Sequence, residues 1–365
     1  MVSRSSSDKT NGTTPLPAGA PQELVLVTGI TGFVGGHVAA ACLRHGYRVR
    51  GSLRSLAKAK TTLAELQTAF GSDVFARDRV EFVQLDLEKD ENWDSAMQGC
   101  TYVLHVASPV SAQEPKNPEE EMIRPAIEGV KRAFLKAVQA GCVKRFVYTS
   151  SIAAIIAGHD YTAHPPRVFD ESDWSQDDGP TPMISYEKSK LYAERALWEL
   201  YEKHKDVIEL SVVNPGYVIG RAPCSYARSS LHVVTKIMQR QIPLVPALGF
   251  ESVHASDVAE LHILCMTKPE AVSERFCAVG GFLWLYDMAH ELQAAYPERK
   301  IVVYRCPSWL MQVVAAFDKE VHTFRHLLNV KIEVSSAKAY RLLGWTTQNP
   351  MTGLLDAAKS LEHLF

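Results

Sequence analysis

Short apolar runs alternate with longer amphipathic stretches along the N-terminal part of the chain. The runs are rich in β-branched residues, which is typical of strands that are buried on both faces. The stretches between them repeat apolar positions at helical spacing. The predicted strands lie at 24–28, 47–53, 80–85, 101–106, 144–150 and 208–213. This alternation predicts an α/β fold in which helices cover both faces of a doubly wound parallel sheet.

Three glycines follow the first predicted strand. Gly29, Gly32 and Gly35 lie between that strand and an amphipathic segment that begins at Phe33. Such a strand-to-helix turn lets backbone N–H groups approach a dinucleotide pyrophosphate, and the helix dipole favours the negative charge. Turn glycines without a ligand are the alternative. Strand, spacing and helix together favour a Rossmann-type dinucleotide site.

The end of the second predicted strand distinguishes between the two nicotinamide dinucleotides. An NAD site usually carries an acidic residue roughly 20 residues beyond the glycines, where it binds the ribose 2′-hydroxyl. Here residues 51–54 read Gly-Ser-Leu-Arg, and Lys58 follows, with no carboxylate among them. Two cations suit a 2′-phosphate, so the sequence predicts NADPH bound by Arg54 and Lys58. Solvated surface charges are the competing interpretation.

A tyrosine and a lysine share one face of a later predicted helix. Tyr186 and Lys190 are four residues apart, so their side chains project from neighbouring turns. A free phenol titrates near pH ~10, and a nearby positive charge favours its anion. The spacing therefore predicts that Lys190 makes Tyr186 a usable acid for a carbonyl oxygen. An amphipathic helix with a solvated lysine is the alternative.

Two serines end the predicted strand at 144–150. In open α/β sheets the ligand crevice lies at the carboxyl ends of the strands, so a serine there can reach a substrate oxygen. We predict that Ser151 is this residue. Ser150 is the better candidate for a helix cap or a turn.

Together these motifs resemble the extended short-chain dehydrogenase/reductase family. Within it, the chain is most similar to the group of dihydroflavonol reductases, cinnamoyl-CoA reductases and yeast-type aldehyde/ketone reductases. The resemblance covers nearly everything from Leu24 onward. Its motifs lie at 28–35, 54–58, 86–87, 105–109, 149–151, 169–174, 186–190 and 214–220.

The resemblance implies a role for each site residue. Tyr186 would protonate the substrate oxygen, Lys190 would hold the nicotinamide ribose and tune the tyrosine, and Ser151 would orient the oxygen. The glycine loop would hold the pyrophosphate, and residues 86–87 would contact the adenine. Residues 106–108, 215 and 218 would lie beside the nicotinamide. The implied cofactor contacts are Gly29, Thr31, Gly32, Phe33, Val34, Gly35, Arg54, Lys58, Asp86, Leu87, Val106, Ala107, Ser108, Tyr186, Lys190, Pro215 and Val218.

Two positions depart from the family pattern. Ser256 stands where relatives often carry an arginine beside the aspartate that corresponds to Asp257. The predicted helix at 125–132 lacks the asparagine that some short-chain dehydrogenases use in a proton relay. The first departure changes the expected local ion pairs, and the second means that any relay needs water or another group.

Composition agrees with one large enzyme. The chain has 365 residues, of which 46% are hydrophobic, and a net charge of -2. That charge argues against nucleic acid or an anionic membrane as a partner. The seven cysteines and thirteen histidines show no CxxC or metal-ligand spacing. We expect free thiols in the cytoplasm, no catalytic metal and no membrane-spanning helix.

The expected organisation has three parts. Residues 1–22 are rich in Ser, Thr, Gly and Pro, which predicts a disordered tail. Residues 23–220 would form the NADP-binding domain with the catalytic residues. Residues 221–365, where the pattern becomes irregular, would form a substrate-binding region. Within it, 275–279 are expected to return to the main sheet.

The predicted activity is NADPH-dependent reduction of an aldehyde or ketone to an alcohol. Trp309, Met311 and Phe317 indicate an apolar or aromatic small-molecule substrate, and the protein is expected to be a monomer or homodimer. One alternative is an NAD-dependent 3β-hydroxysteroid dehydrogenase or nucleotide-sugar epimerase. Another is a redox sensor that binds NADPH without catalysis.

Overall fold

The computed structural model describes residues 23–109, 114–162, 166–225, 230–315 and 325–365. The tail predicted at 1–22 lies outside these residues. In chain order the strands are β1 (Leu24–Thr28), β2 (Arg48–Leu53), β3 (Val80–Gln84), β4 (Cys100–His105), β5 (Arg145–Thr149), β6 (Val168–Phe169), β7 (Glu209–Pro215), β8 (Tyr217–Ile219), β9 (Gly249–His254), β10 (Glu274–Ala278), β11 (Gly281–Trp284) and β12 (Glu333–Val334).

The main sheet of the described residues has seven parallel strands in the order β10-β7-β5-β4-β1-β2-β3. The order reverses between β1 and β4, so the loops after these two strands diverge and leave a crevice at the carboxyl edge. The predicted α/β Rossmann-type fold is confirmed. The strand at Glu274–Ala278 pairs with β7 and forms one edge of this sheet.

Helices cover both faces of the sheet. In chain order the helices of the described residues are α1 (Phe33–Arg44), α2 (Ala59–Phe70), α3 (Trp93–Met97), α4 (Arg124–Ala140), α5 (Ala153–Ile156), α6 (Ser185–Glu202), α7 (His232–Met238), α8 (Ala255–Thr267), α9 (Leu285–Ala295), α10 (Ser308–Ala315), α11 (Ala337–Leu343) and α12 (Pro350–Ser360). A π-helical turn at Glu119–Ile123 leads into α4. Helices α1 and α8 pack together on one face, and α4 and α6 pack together on the other.

The apolar run of β1 shows why a continuous hydrophobic stretch forms a buried strand. Val25 and Val27 contribute to the core beneath α1 and α8, whereas Leu26 between them contributes to the core beneath α4 and α6. Alternate side chains of a strand point to opposite faces, so a strand covered on both sides needs apolar residues at every position. All three side chains are fully buried.

A smaller sheet follows the main one. Strand β9 pairs in parallel with β8 and antiparallel with β11, and the short β6 pairs in parallel with β12.

At the position where the family pattern has arginine, Ser256 Oγ donates to Asp257 Oδ1 at 3.3 Å. The other oxygen, Asp257 Oδ2, accepts from the Gln348 backbone N–H at 2.7 Å, and the Gln348 side-chain amide donates to Oδ1 at 2.9 Å. Hydrogen bonds thus replace the expected ion pair at this carboxylate.

Candidate active site

The glycine loop bends sharply between β1 and α1. Gly29 has φ +70°, a conformation that side chains disfavour, and a Cβ there would lie 3.0 Å from the Ala107 Cβ. A Cβ on Gly35 would lie only 2.2 Å from the Gly29 carbonyl oxygen. The Gly32 N–H donates to that same carbonyl at 2.8 Å and closes the turn. The bend therefore depends on glycine at two positions.

The start of α1 fits a pyrophosphate. Gly32 precedes the helix and offers no side chain to cap it, and the first turn holds no acidic residue. The backbone N–H groups of this turn thus carry the positive end of the helix dipole without a side-chain acceptor. Gly32 is exposed, Thr31 and Val34 are half-buried, and Phe33 is buried as part of the core. An anion can approach this turn closely.

Threonine at the end of β1 fixes the loop that follows β4. Thr28 Oγ1 accepts from the backbone N–H groups of Val106 and Ala107, both at 3.0 Å. Since its two lone pairs are then occupied, the hydroxyl donates to His105 Nδ1 at 3.1 Å. Burial, reinforced by Lys190, lowers the pKa of His105 to about 3, so the ring is a neutral acceptor. The half-buried segment 106–108 is held beside the glycine loop.

The end of β2 carries the predicted cations. Ser52 lies near the end of this strand, in the region where NAD sites usually carry an acidic residue, and its Oγ accepts from the Gly29 N–H at 2.9 Å. Arg54 follows directly and is exposed, and Lys58 is exposed at the end of a 3₁₀ turn at Leu56–Lys58. The short serine leaves this edge without negative charge, which suits a phosphate on the ribose.

Two predicted contact regions lie at other strand ends. After β3, Asp86 Oδ1 accepts from the Glu88 N–H at 3.1 Å, and the Leu87 carbonyl accepts from Arg132 Nη1 at 2.5 Å. At the end of β7, the buried Pro215 carbonyl accepts from the Ile152 N–H at 3.0 Å. Val218 is buried on β8. The first pair follows β3, the neighbour of β2, and Pro215 lies on β7, the neighbour of β5, so these positions lie on opposite sides of β1 and β4 in the strand order.

Helix α6 carries the tyrosine in its first turn and the lysine in its second. The Ser185 backbone N–H donates to Glu114 Oε1 at 3.3 Å, and the Ser185 hydroxyl donates to the same oxygen. Glu187 Oε2 accepts from the Ile184 N–H at 2.9 Å. These carboxylates satisfy N–H groups that the helix itself leaves without partners. Helix α6 therefore begins just before Tyr186, which gives this residue a fixed position.

Ser151, Tyr186 and Lys190 lie together at the carboxyl end of β5. Lys190 is only 4% exposed, and its Nζ lies 5.8 Å from the centre of the Tyr186 ring. Ser151 is buried; its Oγ lies 3.5 Å from the Pro215 carbonyl oxygen and accepts from the Ala153 N–H at 3.1 Å. A hydrogen bond between the Ser151 hydroxyl and the Tyr186 phenol lowers the pKa of the phenol. One hydroxyl, one phenol and one amine thus meet beside the crevice.

Burial dominates the electrostatics of this group. It raises the pKa of Tyr186, an effect that Glu187 reinforces and that hydrogen bonding to Ser151 opposes. Burial also lowers the pKa of Lys190 to about 8, although the negative charge of Glu194 raises it. The sequence predicts that Lys190 lowers the phenol pKa, whereas in the structure the hydrogen bond to Ser151 has that effect. A phenol with a raised pKa stays protonated, as a proton donor must.

Sequence reasoning missed three charged or polar residues behind this group. Glu194, Asn214 and Arg275 are buried, and Asn214 and Arg275 each contact Glu194. Glu194 lies four residues beyond Lys190 on the buried stripe of α6. A carboxylate at a position that the helical period assigns to the core was the available signal.

Two of the hydrophobic residues predicted to contact substrate lie on one helix but differ in exposure. Trp309 is 69% exposed on α10, whereas Met311 on the same helix is buried. Phe317 lies outside the described residues. Among the ranges that the structure describes, no helix is long and apolar enough to cross a membrane, and no group of His, Cys, Asp or Glu side chains could hold a metal ion.

Comparison with known proteins decides the family. The model of the NAD dependent epimerase/dehydratase family matches residues 25–280, which include the glycine loop and all of α6. The chain belongs to this family. The predicted membership of the extended short-chain dehydrogenase/reductases is thereby confirmed, and the protein is an oxidoreductase.

Reductases in this family resemble the chain over most of its length. Aldehyde reductase 2 of Sporidiobolus salmonicolor is 32% identical over 307 residues, 78% of this chain and 83% of the relative. The bifunctional dihydroflavonol 4-reductase/flavanone 4-reductase of Malus domestica is 29% identical over 290 residues, covering 78% and 79%. The crystal structure of yeast methylglyoxal/isovaleraldehyde reductase with NADPH is 26% identical, with a TM-score of 0.74, and covers 93% of this chain and 99% of that chain.

In this family member, Gly35→Ala is expected to weaken dinucleotide binding strongly and to lower the melting temperature. The new Cβ must displace the Gly29 backbone, and overpacking of this kind costs about 1–3 kcal/mol. Thermal denaturation and fluorescence titration with NADPH measure both effects. Gly32→Ala is the matched control, because its Cβ meets the same oxygen at 3.1 Å and needs a smaller shift. Unchanged binding in Gly35→Ala would show that the loop does not hold the dinucleotide.

Proposed function

We propose that this protein is an NADPH-dependent carbonyl reductase that converts an aldehyde or ketone to an alcohol. The observation that supports this most directly is the proximity of Ser151, Tyr186 and Lys190 beside the crevice between β1 and β4. Carbonyl reduction needs a positioned proton donor, and the Tyr186 phenol can serve as one with a hydroxyl and a buried amine beside it.

Each residue of the group has a distinct task in this proposal. When bound, NADPH supplies the hydride that reduces the carbonyl carbon. The Ser151 hydroxyl donates a hydrogen bond to the carbonyl oxygen and holds it near Tyr186. The Tyr186 phenol gives its proton to that oxygen as negative charge develops. Lys190, when protonated, stabilises the phenolate that remains.

Several observations support NADPH as the cofactor. The edge after β2 carries Arg54 and Lys58 and no carboxylate, while Ser52 binds the glycine loop. The yeast methylglyoxal/isovaleraldehyde reductase, similar over 93% of this chain, was crystallised with NADPH. These points favour NADPH over the NAD expected for an epimerase or a 3β-hydroxysteroid dehydrogenase.

The proposed substrate is a small apolar or aromatic carbonyl compound. Support comes from relatives whose names specify aldehydes, dihydroflavonols and methylglyoxal.

The proposed setting is the reducing cytoplasm. All seven cysteines are free thiols, six of them buried, which supports this part of the proposal.

A panel of aldehydes, aryl ketones and flavanonols, assayed with NADPH and with NADH, tests the proposed function. We expect NADPH oxidation with at least one class and a much smaller rate with NADH. Cofactor binding without turnover across the panel would instead favour the redox sensor. Preference for NADH would favour the epimerase or steroid dehydrogenase interpretation.

The pH dependence of kcat/KM should follow Lys190. Because its pKa is lowered to about 8, the side chain is charged below that pH and neutral above it. We expect kcat/KM to be constant below pH 8 and to fall about tenfold per pH unit above it. Lys190→Arg, which cannot lose its proton in this range, serves as the control and should remove the decline. A wild-type profile that stays flat well above pH 8 would contradict the role of the ammonium.

A further inference from the structure

A buried carboxylate lies directly behind the catalytic residues. Glu194 is fully buried on α6, one turn beyond Lys190. Its Oε1 lies 2.8 Å from Arg275 Nε and accepts from Trp198 Nε1 at 3.3 Å. Its Oε2 accepts from Asn214 Nδ2 at 2.8 Å. Both oxygens are therefore occupied, and each is directed to a different strand of the sheet.

The arginine that balances this carboxylate comes from the sheet edge. Arg275 lies on β10 and is 6% exposed. Its guanidinium stacks over the Trp174 ring at 3.8 Å, and its Nη1 donates to the Asp173 carbonyl at 3.0 Å. A charge buried this deeply requires a partner, so the pair fixes α6 against β10.

The asparagine extends the contact to the catalytic serine. Besides its bond to Glu194, Asn214 Nδ2 donates to the Ser151 carbonyl oxygen at 3.1 Å. Asn214 is the second-last residue of β7. Strand β7 pairs with β5, which ends two residues before Ser151. Glu194 sets the orientation of the amide, and the amide holds the backbone of Ser151. The carboxylate thus reaches the catalytic group by two routes, through this amide and along its own helix.

We propose that Glu194 is a positioning residue of the reductase, which holds Ser151 through Asn214 and faces Lys190 from the next turn of α6. This inference rests on the proposed carbonyl reduction. Arg275 pairs with the carboxylate at 2.8 Å and holds it in place, so that the returning strand β10 contributes to the catalytic group without touching the substrate.

The charges around Glu194 agree with this role. Its negative charge opposes the effect of burial on the pKa of Lys190. From the neighbouring strands, it also raises the pKa of Tyr148 on β5 and of Cys277 on β10, after burial as the main cause. On β4, His105 faces Lys190 and stays neutral. Among these neighbours, Glu194 supplies the anion that sustains the ammonium.

Glu194→Gln tests the proposal. A glutamine has one acceptor oxygen, so it cannot serve both Arg275 and Asn214, and it carries no charge. We expect kcat to fall ~10- to 100-fold from the displaced serine, while the Kd for NADPH stays near the wild-type value. The decline of kcat/KM should also move to lower pH.

A second readout does not depend on turnover. In protein labelled with ¹³C at lysine Cε, the Lys190 signal is assigned by its loss in Lys190→Arg. We expect its titration midpoint to lie at lower pH in Glu194→Gln than in the wild type. An unchanged midpoint together with an unchanged kcat would overturn the proposal. If the wild type reduces no carbonyl but the midpoint still moves, the proposed activity fails while the coupling of Glu194 to Lys190 stands.

Two further variants separate positioning from folding. Glu194→Gln combined with Arg275→Met removes both buried charges, and such replacements are often tolerated. We expect this double variant to regain stability and to keep the lowered titration midpoint of Lys190. Recovery of the wild-type midpoint would show that Glu194 only serves folding. Ser211→Ala, which loses a buried hydroxyl on β7 bonded to the Ala271 carbonyl at 2.5 Å, should lower stability without moving the midpoint.

Discussion

Tyr186→Phe is expected to lower kcat about 100- to 10,000-fold, the usual contribution of a positioned general acid. The phenol is held beside Ser151 at the first turn of α6, and burial raises its pKa so that it stays protonated. Removing one oxygen leaves the ring and the packing of the helix in place. The Kd for NADPH should therefore stay near that of the wild type. Steady-state NADPH oxidation and fluorescence titration measure the two quantities.

Tyr192→Phe provides a matched control on the same helix. Its hydroxyl bonds to Asp177 away from the catalytic group, so kcat should change little. If Tyr186→Phe retained the wild-type kcat, another group would deliver the proton. If both variants lost activity equally, the loss would come from the helix rather than from the phenol.

Arg54→Ala is expected to weaken NADPH binding about 10- to 100-fold, which corresponds to one lost charge-assisted hydrogen bond. The arginine follows β2 and is exposed at a strand end where residues 51–54 include no acidic residue. NADH lacks the 2′-phosphate, so its Kd should not change. Fluorescence titrations with both cofactors at one salt concentration measure the difference.

Lys203→Ala is the control for net charge, since it removes an exposed cation at the far end of α6. It should leave the Kd values of both cofactors near those of the wild type. Equal weakening of NADPH and NADH binding by Arg54→Ala would mean that the arginine does not bind the 2′-phosphate.

The centre of the sheet could be predicted from the sequence because strands such as β1 and β5 are buried on both faces. The apolar run of β1 defined its own ends, and Gly29 marked the turn that follows. Strand β7 instead continues to Pro215, two residues past its predicted end. There its last two residues pair with Cys277 and Ala278 of β10. A strand end set by a distant partner leaves little trace in the local pattern.

The small sheet of β8, β9 and β11 was not predicted for the same reason. Its strands have three to six residues and pair across long stretches of chain. Such short runs show too few periods to distinguish a strand from a loop.

The candidate site likewise contains residues whose proximity follows from local sequence and residues that only the fold brings together. Tyr186 and Lys190 are local neighbours on one helix, so their proximity follows from helical spacing. The partners of Glu194 come from β7 and β10, and only the fold brings them together. The direction of the Tyr186 pKa shift also depends on burial, which residue spacing does not report. Spacing thus predicted which residues meet, and packing determined their electrostatics.

Transfer of deuterium from NADPH labelled with two deuterons at C4 tests the central claim most directly. The labelled cofactor is incubated with the best carbonyl compound of the panel, and the alcohol is examined by mass spectrometry. The account predicts one deuterium on the carbinol carbon in wild-type product, and a strongly reduced rate of its formation in Tyr186→Phe. An alcohol without deuterium, or bound NADPH that no carbonyl compound oxidises, would contradict the account.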